Sequence, residues 1–132
     1  MRSRTDIYDG DFGFEVNTSK GEAKLFRYNG NGGAVTLPES FRDYPVTVID
    51  RNAFSGNTSV TELVFSSTNT TVEEYAFMNC TSLESVTIPE NVVSFGDRVF
   101  AGCTSLENKN LKALAANKNA NDSSLTAIND IE

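Results

Sequence analysis

The sequence predicts a solenoid: a short parallel β-sheet with short helical turns, about three stacked repeats, closed at the N-terminal end by a β-hairpin cap. Three observations predict it. Phe54, Phe77 and Phe100 stand 23 residues apart. They are followed by near-copies of one string, Gly56-Asn57-Thr58-Ser59-Val60, Asn79-Cys80-Thr81-Ser82-Leu83 and Gly102-Cys103-Thr104-Ser105-Leu106. Apolar residues recur at fixed offsets around each Phe. A constant period of this length is the signature of a repeat architecture.

The offsets describe one repeat. Five residues before each Phe stand Ile49, Val72 and Phe95, and immediately before it Ala53, Ala76 and Val99. Six residues after it come Val60, Leu83 and Leu106; nine after, Leu63, Val86 and Lys109; eleven after, Phe65, Ile88 and Leu111. The last two positions are two apart, so they face the same way on a short strand. The Ala-Phe pair is expected in a compact helical turn on the opposite wall. One repeat cannot enclose these side chains, whereas stacking lines them into ladders around a continuous core. Each buried Leu or Phe then contributes about 1.5–3 kcal/mol. Three turns are close to the minimum for stability, so the caps matter.

Residues 1–11 are polar and aperiodic and read as a loosely held terminus. Residues 12–33 read as the hairpin. Phe12-Gly13-Phe14-Glu15-Val16 and Ala23-Lys24-Leu25-Phe26-Arg27-Tyr28 flank a polar, Gly-containing link. Its task would be to cover the first apolar layer and the unpaired strand edge of an open stack. The solenoid is expected over 34–111. It starts at Ala34-Val35-Thr36-Leu37-Pro38, which resembles Ser85-Val86-Thr87-Ile88-Pro89. Fifteen residues separate Pro38 from Phe54, against ten between Pro89 and Phe100, and the surplus falls in a bulged loop, Ser40-Phe41-Arg42-Asp43-Tyr44-Pro45. Lys109 puts a charge where the strand needs an apolar residue, which implies that the array is ending there. Residues 112–132 read as a helical cap or tail, with Leu111, Leu114 and Ala115 at helical spacing.

Composition narrows the function classes. The formal net charge is −7 and the pI about 4.5, which disfavours nucleic acid and anionic lipid as partners. No apolar run reaches the length of a membrane span, so membrane insertion is not expected. The N-terminal stretch has no apolar core, so it does not read as a signal peptide. With no histidine in the chain, Ser-His and Cys-His nucleophilic systems are excluded, as are His-bearing zinc sites.

Val72 to Pro89 fits the pattern I-x-x-x-A-F-x-x-C-x-S-L-x-x-V-x-I-P nearly position for position. The pattern resembles the BspA-type leucine-rich repeat, a 23-residue class of bacterial surface proteins also found in some protozoa, and the resemblance covers about 34–111. Asn57 departs from it where cysteine is usual, and Lys109 where an apolar residue is usual. The resemblance implies a leucine-rich repeat solenoid, a cell-surface or secreted location, and adhesion to a protein ligand such as a host or matrix protein.

Candidate chemistry is sparse. Glu73 and Glu74 are adjacent, so their side chains point apart and make a poor acid/base pair. Cys80 and Cys103 occupy the same repeat position. A ladder of small reduced thiols is the favoured reading. A disulfide and a two-Cys metal site are the competing ones, the first opposed by side chains that run parallel instead of converging. Asn57 fits the ladder because its amide can bond neighbouring backbone. The Asn29-Gly30-Asn31-Gly32-Gly33 stretch lacks the Lys and Ser/Thr of a phosphate loop and the acids of a calcium loop. The Asn-x-Ser/Thr triplets at Asn17, Asn57, Asn69, Asn79 and Asn121 arise largely from the repeat itself. No cofactor or metal is expected, and no enzyme.

The open face of the sheet remains. Alternating with the core positions are Glu62 and Val64, Ser85 and Thr87, Asn108 and Asn110, a small polar row on the surface that solenoids commonly use for binding. Phe41, Arg42 and Tyr44 in the bulged loop add a second candidate, with packing onto the solenoid edge as its structural alternative. The expected function is non-enzymatic protein recognition or adhesion. The alternative is a spacer, or a terminal fragment of a longer repeat protein, with no ligand of its own. Exposed strand edges also leave room for a homodimer.

Overall fold

The computed structural model describes residues 7–106 and 111–113. Their strands are β1 (Tyr8–Asp9), β2 (Phe12–Asn17), β3 (Glu22–Tyr28), β4 (Gly33–Thr36), β5 (Ser40–Phe41), β6 (Tyr44–Ile49), β7 (Val60–Val64), β8 (Thr71–Val72), β9 (Ser85–Ile88), β10 (Ser94–Phe95) and β11 (Leu111–Ala113). They form a solenoid with two sheets. The first has the order β11-β9-β7-β4 and is parallel throughout, and the second runs β1-β2-β3-β6-β8-β10. The fixed period thus places two short strands in each turn, one per sheet.

The alternation within the strands sets the core. Val35, Leu63 and Val86 are in register across the first sheet, and all are buried. Across the interior, Leu25, Ile49, Val72 and Phe95 form the matching ladder of the second sheet. The offset five before each Phe is therefore a strand position, which extends the expected single sheet to two.

The wall carrying the Ala-Phe pairs is not helical. No α-helix occurs among the described residues. Bonds of the i→i+3 type close single turns, as from Ala76 N–H to Glu73 and from Cys80 N–H to Phe77. The intervening amides donate along the stack instead: Phe54 N–H to the Ala76 carbonyl (2.8 Å), Phe77 N–H to Val99 (3.0 Å) and Asn79 N–H to Ala101 (2.7 Å). The reason lies in the backbone. Asn52, Tyr75 and Arg98, one per turn, have φ of 66°, 64° and 54°, and Gly56, Asn79 and Gly102 follow with 78°, 62° and 77°. A left-handed residue on each side of the pair stops a right-handed helix from propagating. The expected helical turns are corrected to hydrogen-bonded turns that lace neighbouring repeats together.

The stacked rings run one position further than the period indicates. Phe54 lies 4.9 Å from Phe77, and Phe77 lies 5.6 Å from Phe100. On the other side Tyr28 stacks on Phe54 at 4.8 Å with an interplanar angle of 14°. Its N–H donates to Ala53, the same bond that Phe54 makes to Ala76. Tyr28 is thus the first rung of the ladder. The hairpin fits this: β3 is antiparallel to β2 but parallel to β6. It is a cap on one side and a degenerate repeat on the other. Beyond it, Tyr8–Asp9 pairs antiparallel with β2; residues 1–6 of the expected loose terminus lie outside the described residues.

The register of β11 corrects the reading at the C-terminal end. Leu111 pairs with Val86, Lys112 with Thr87 and Ala113 with Ile88. The constant period would have put Lys109 opposite Val86 and Leu111 opposite Ile88. Two extra residues therefore precede this strand, and the register opposite Val86 belongs to Leu111; Lys109 itself lies outside the described residues. The array continues to Ala113 as a strand, not as the start of a helix, because the open edge of β9 offers backbone partners that a weak local helical preference cannot outcompete. The rest of the expected helical tail lies outside the described residues.

Polar corners are satisfied from within. Asn69, fully buried, accepts from Ser66 N–H (2.8 Å) and donates to the Val46 carbonyl (2.8 Å). Asn91 donates to Ser66 and Asn69 carbonyls at 3.0 and 2.7 Å. These amides stand in for strand pairing where the chain bends.

Candidate functional site

The first sheet presents the expected open face. With Val35, Leu63 and Val86 turned inward, the alternate residues align as two rows, Ala34–Glu62–Ser85 and Thr36–Val64–Thr87. Glu62 is exposed, while Val64, Ser85 and Thr87 are half-buried by their neighbours. Four of the residues singled out from the sequence, Glu62, Val64, Ser85 and Thr87, are therefore brought together. Neighbouring strands in a sheet are about 4.8 Å apart, so the rows form a flat, finely spaced surface. Asn108 and Asn110 lie outside the described residues, and the register opposite Thr87 belongs to Lys112 instead of Asn110.

The loop trio divides. Arg42 and Asp43, with φ of 51° and 71°, make a tight two-residue turn between β5 and β6. That turn swings Phe41 inward, where it is 3% exposed and stacks on Phe14 at 4.4 Å. Phe41 seals the hairpin to the array and is not a surface contact. Tyr44 is partly buried against the same core, and Arg42 lies on the outside with its guanidinium 4.8 Å from the Phe41 ring. The packing alternative describes Phe41 and Tyr44, while Arg42 stays at the surface.

The second sheet holds a charged cluster that sequence reasoning missed. Lys24 Nζ lies 3.8 Å from both Asp50 Oδ1 and Glu73 Oε1. Arg51 pairs with Glu74, and its N–H donates to Glu73 Oε1 at 3.2 Å. A hydrogen bond that protonated Glu73 donates to the Asp50 carboxylate, together with partial burial, raises the pKa of Glu73 above the ordinary carboxylate value. The signal was present in the spacing: Asp50 to Glu73 and Arg51 to Glu74 are each one 23-residue period, so the two pairs are stacked neighbours. A groove of about 420 Å³ lies beside them, reaching Thr71, Ser94 and Asp97, and another of about 540 Å³ extends from Glu73 towards Glu15 and Lys20.

Cys80 and Cys103 are free and buried, and each thiol donates to a carbonyl of the preceding turn, Phe54 and Phe77 respectively, at 3.1 Å. The neighbouring Cys103 thiol and desolvation push Cys80 well above the usual thiol range, which keeps it protonated and unreactive. Asn57, in the equivalent slot, accepts from Ser59 and Val60 N–H groups at 2.8 and 2.9 Å. These three side chains form the ladder, each hydrogen-bonded to backbone at the same position of its turn, the thiols to carbonyls and the Asn57 amide oxygen to N–H groups. Among the described residues no group of three or more acidic or Cys side chains is placed to hold a metal ion, and no helix is long and apolar enough to cross a membrane.

With two sheets of stacked parallel strands behind an antiparallel hairpin, a 23-residue turn and a stacked Phe ladder established, comparison with known proteins becomes specific. A family model described as the BspA type leucine rich repeat region matches residues 19–130 in six copies. The chain belongs to the BspA-type leucine-rich-repeat family. The match reaches well past 34–111 and takes in β3, in agreement with Tyr28 as a rung of the ladder. Among solved structures the chain is similar to a leucine rich cell surface protein from Faecalibacterium prausnitzii, at 32% identity and a TM-score of 0.67 over 75% of this chain and 28% of that one. It is also similar to a leucine-rich repeat protein from Bacteroides capillosus, at 26% identity and a TM-score of 0.69 over 85% of this chain and 94% of that one. A T. pallidum leucine rich repeat protein shares the fold, at 22% identity and a TM-score of 0.58 over 79% and 61% of the two chains. No match is found among curated proteins. BspA-type repeats of this kind typically mediate protein interactions, and their proteins are generally non-enzymatic.

Proposed function

We propose that the protein is a recognition module whose open first-sheet face binds a protein ligand at a bacterial cell surface, with adhesion to a host or matrix protein as the biological role. The observation that carries this reading is the alignment of Ala34–Glu62–Ser85 and Thr36–Val64–Thr87 in two uninterrupted rows. Other Leu, Val and Phe side chains fill the core, so these rows are free to be read by a partner without cost to the fold. Small Ser and Thr side chains lose little rotamer entropy on binding and let a partner's backbone approach closely. The likeness to a cell surface protein from F. prausnitzii supports the location, although this chain spans only 28% of that protein.

The test is a binding panel of immobilised matrix proteins, comparing the natural chain with Glu62→Lys and Thr87→Lys. Both positions lie outside the core, so folding is retained. A partner whose binding falls at least about tenfold, roughly 1.4 kcal/mol, in either variant supports the face. A partner that binds all three forms alike places recognition elsewhere. If no partner binds at all, the spacer reading is favoured, and the abrupt change of period before β11 supports that reading independently.

A further inference from the structure

The N-terminal hairpin caps the two sheets unequally. Through β3 it pairs with β6 and continues the second sheet, but it adds no strand to the first. Among the described residues β4 is the terminal strand of the first sheet, with β7 on one side only. The N–H groups of Gly33 and Leu37 donate towards β7, to Ser59 and Val64, at 2.9 and 2.8 Å. Because backbone groups alternate along a strand, those of Ala34 and Thr36 face the other way. Beside that edge lies a groove of about 260 Å³, lined by Phe12, Tyr28, Asn31 and Gly32 together with β4 itself. Phe12 and Tyr28 are 5.4 Å apart and only partly buried, so they give the groove an aromatic floor.

We propose that this edge is a second docking site, taking an extended peptide strand from a partner protein. The strand joins the first sheet in its parallel sense and sets alternate apolar side chains against Phe12 and Tyr28. The occupant's chemistry follows from the edge. Unpaired main-chain groups call for another strand, and main-chain pairing gives affinity while pockets for alternate side chains give specificity. The groove stands where the inward residues of a preceding turn would be, so the fitting strand carries the repeat's own alternation, as in Ser85-Val86-Thr87-Ile88. Ala34 and Thr36 head the two open-face rows as well as forming this edge, whereas Glu62, Ser85 and Thr87 belong to the face alone, so those three positions tell the two sites apart.

The probe is a capped synthetic peptide copying residues 84–90, titrated into the isotopically labelled full chain and followed by amide NMR shifts. The expected result is perturbation and exchange protection at Ala34 and Thr36, with ring-proton shifts at Phe12 and Tyr28. N-methylation of the peptide's edge-facing amides should weaken binding at least about fivefold, the worth of one or two hydrogen bonds. Thr36→Pro should do the same, since proline is tolerated on an edge strand and the Leu37 bond to Val64 remains. Because the N-methyl peptide acts on the natural protein, the test stands even if the proline variant fails to fold. Three outcomes overturn the proposal: shifts confined to Glu62, Ser85 and Thr87; affinity indifferent to N-methylation; or no shifts at all. Concentration-dependent dimerisation that Thr36→Pro abolishes, without peptide binding, also overturns it and assigns the edge to a second copy of the chain.

Discussion

Phe77 is held between Phe54 and Phe100 and meets Phe65 edge-on at 6.0 Å, so it has aromatic neighbours on three sides. Such a site cannot collapse when the ring is removed, because its neighbours are pinned by the hydrogen bonds between turns. Phe77→Ala should therefore cost about 3–5 kcal/mol, seen as a lower urea midpoint at unchanged slope. At the surface, Glu73 makes a different demonstration. Its folded pKa lies above the unfolded value, chiefly through the hydrogen bond with Asp50. The fold therefore favours the protonated form: Glu73's stabilising contribution is full below the ordinary carboxylate range and is lost as pH rises through the folded value. Asp50→Asn should bring the Glu73 titration, followed by side-chain NMR, down towards the ordinary carboxylate range. An unmoved titration would show that burial and not Asp50 dominates.

The element that carries the fold is the hydrogen-bonded turn around each Ala-Phe pair. Its amides are divided between closing the turn and bonding the next repeat, so the stack is laced on this wall as well as on the two sheets. That close lacing leaves little room at Gly96, where a Cβ would overlap the backbone of Glu74 in the adjacent turn. Gly96→Ala should force the last two turns apart and lower stability by about 1–3 kcal/mol, measured by thermal unfolding. The sequence displays the Gly but not its reason, because the overlap is with a residue 22 positions earlier. The hairpin turn at Arg42-Asp43 teaches the same lesson. Composition suggests an exposed aromatic loop, yet two left-handed residues reverse the chain and bury Phe41 on Phe14.

For the molecule as a whole, continuity matters more than any single turn. Tyr28 and Leu25 extend the core ladders into the hairpin, so the cap and the array share one interior. Solenoid stability is approximately a sum of repeat and interface contributions, and a short array has few interfaces to lose. Deleting residues 1–28 would bare Phe54 and Ile49 together and should abolish cooperative thermal unfolding by circular dichroism. A truncated chain that still melts cooperatively would make the hairpin an appendage instead of a rung.

What the residues determine by themselves is the period and everything that repeats with it. The Phe ladder, the inward Leu and Val positions, the backbone-bonded Cys and Asn slot and the two open-face rows all follow from one 23-residue spacing. Even the Asp50–Glu73 and Arg51–Glu74 stacking was legible there once position was read together with charge. Only the tertiary structure decided the features that break the period. Tyr28 stands 26 residues before Phe54, not 23, so its place in the ladder depends on how the hairpin packs. The two residues added before β11 shift its register, and backbone pairing along the edge of β9 selects the strand there. The Ala-Phe turns take left-handed residues because stacking rewards amides that point along the array, a reward that no isolated repeat can supply.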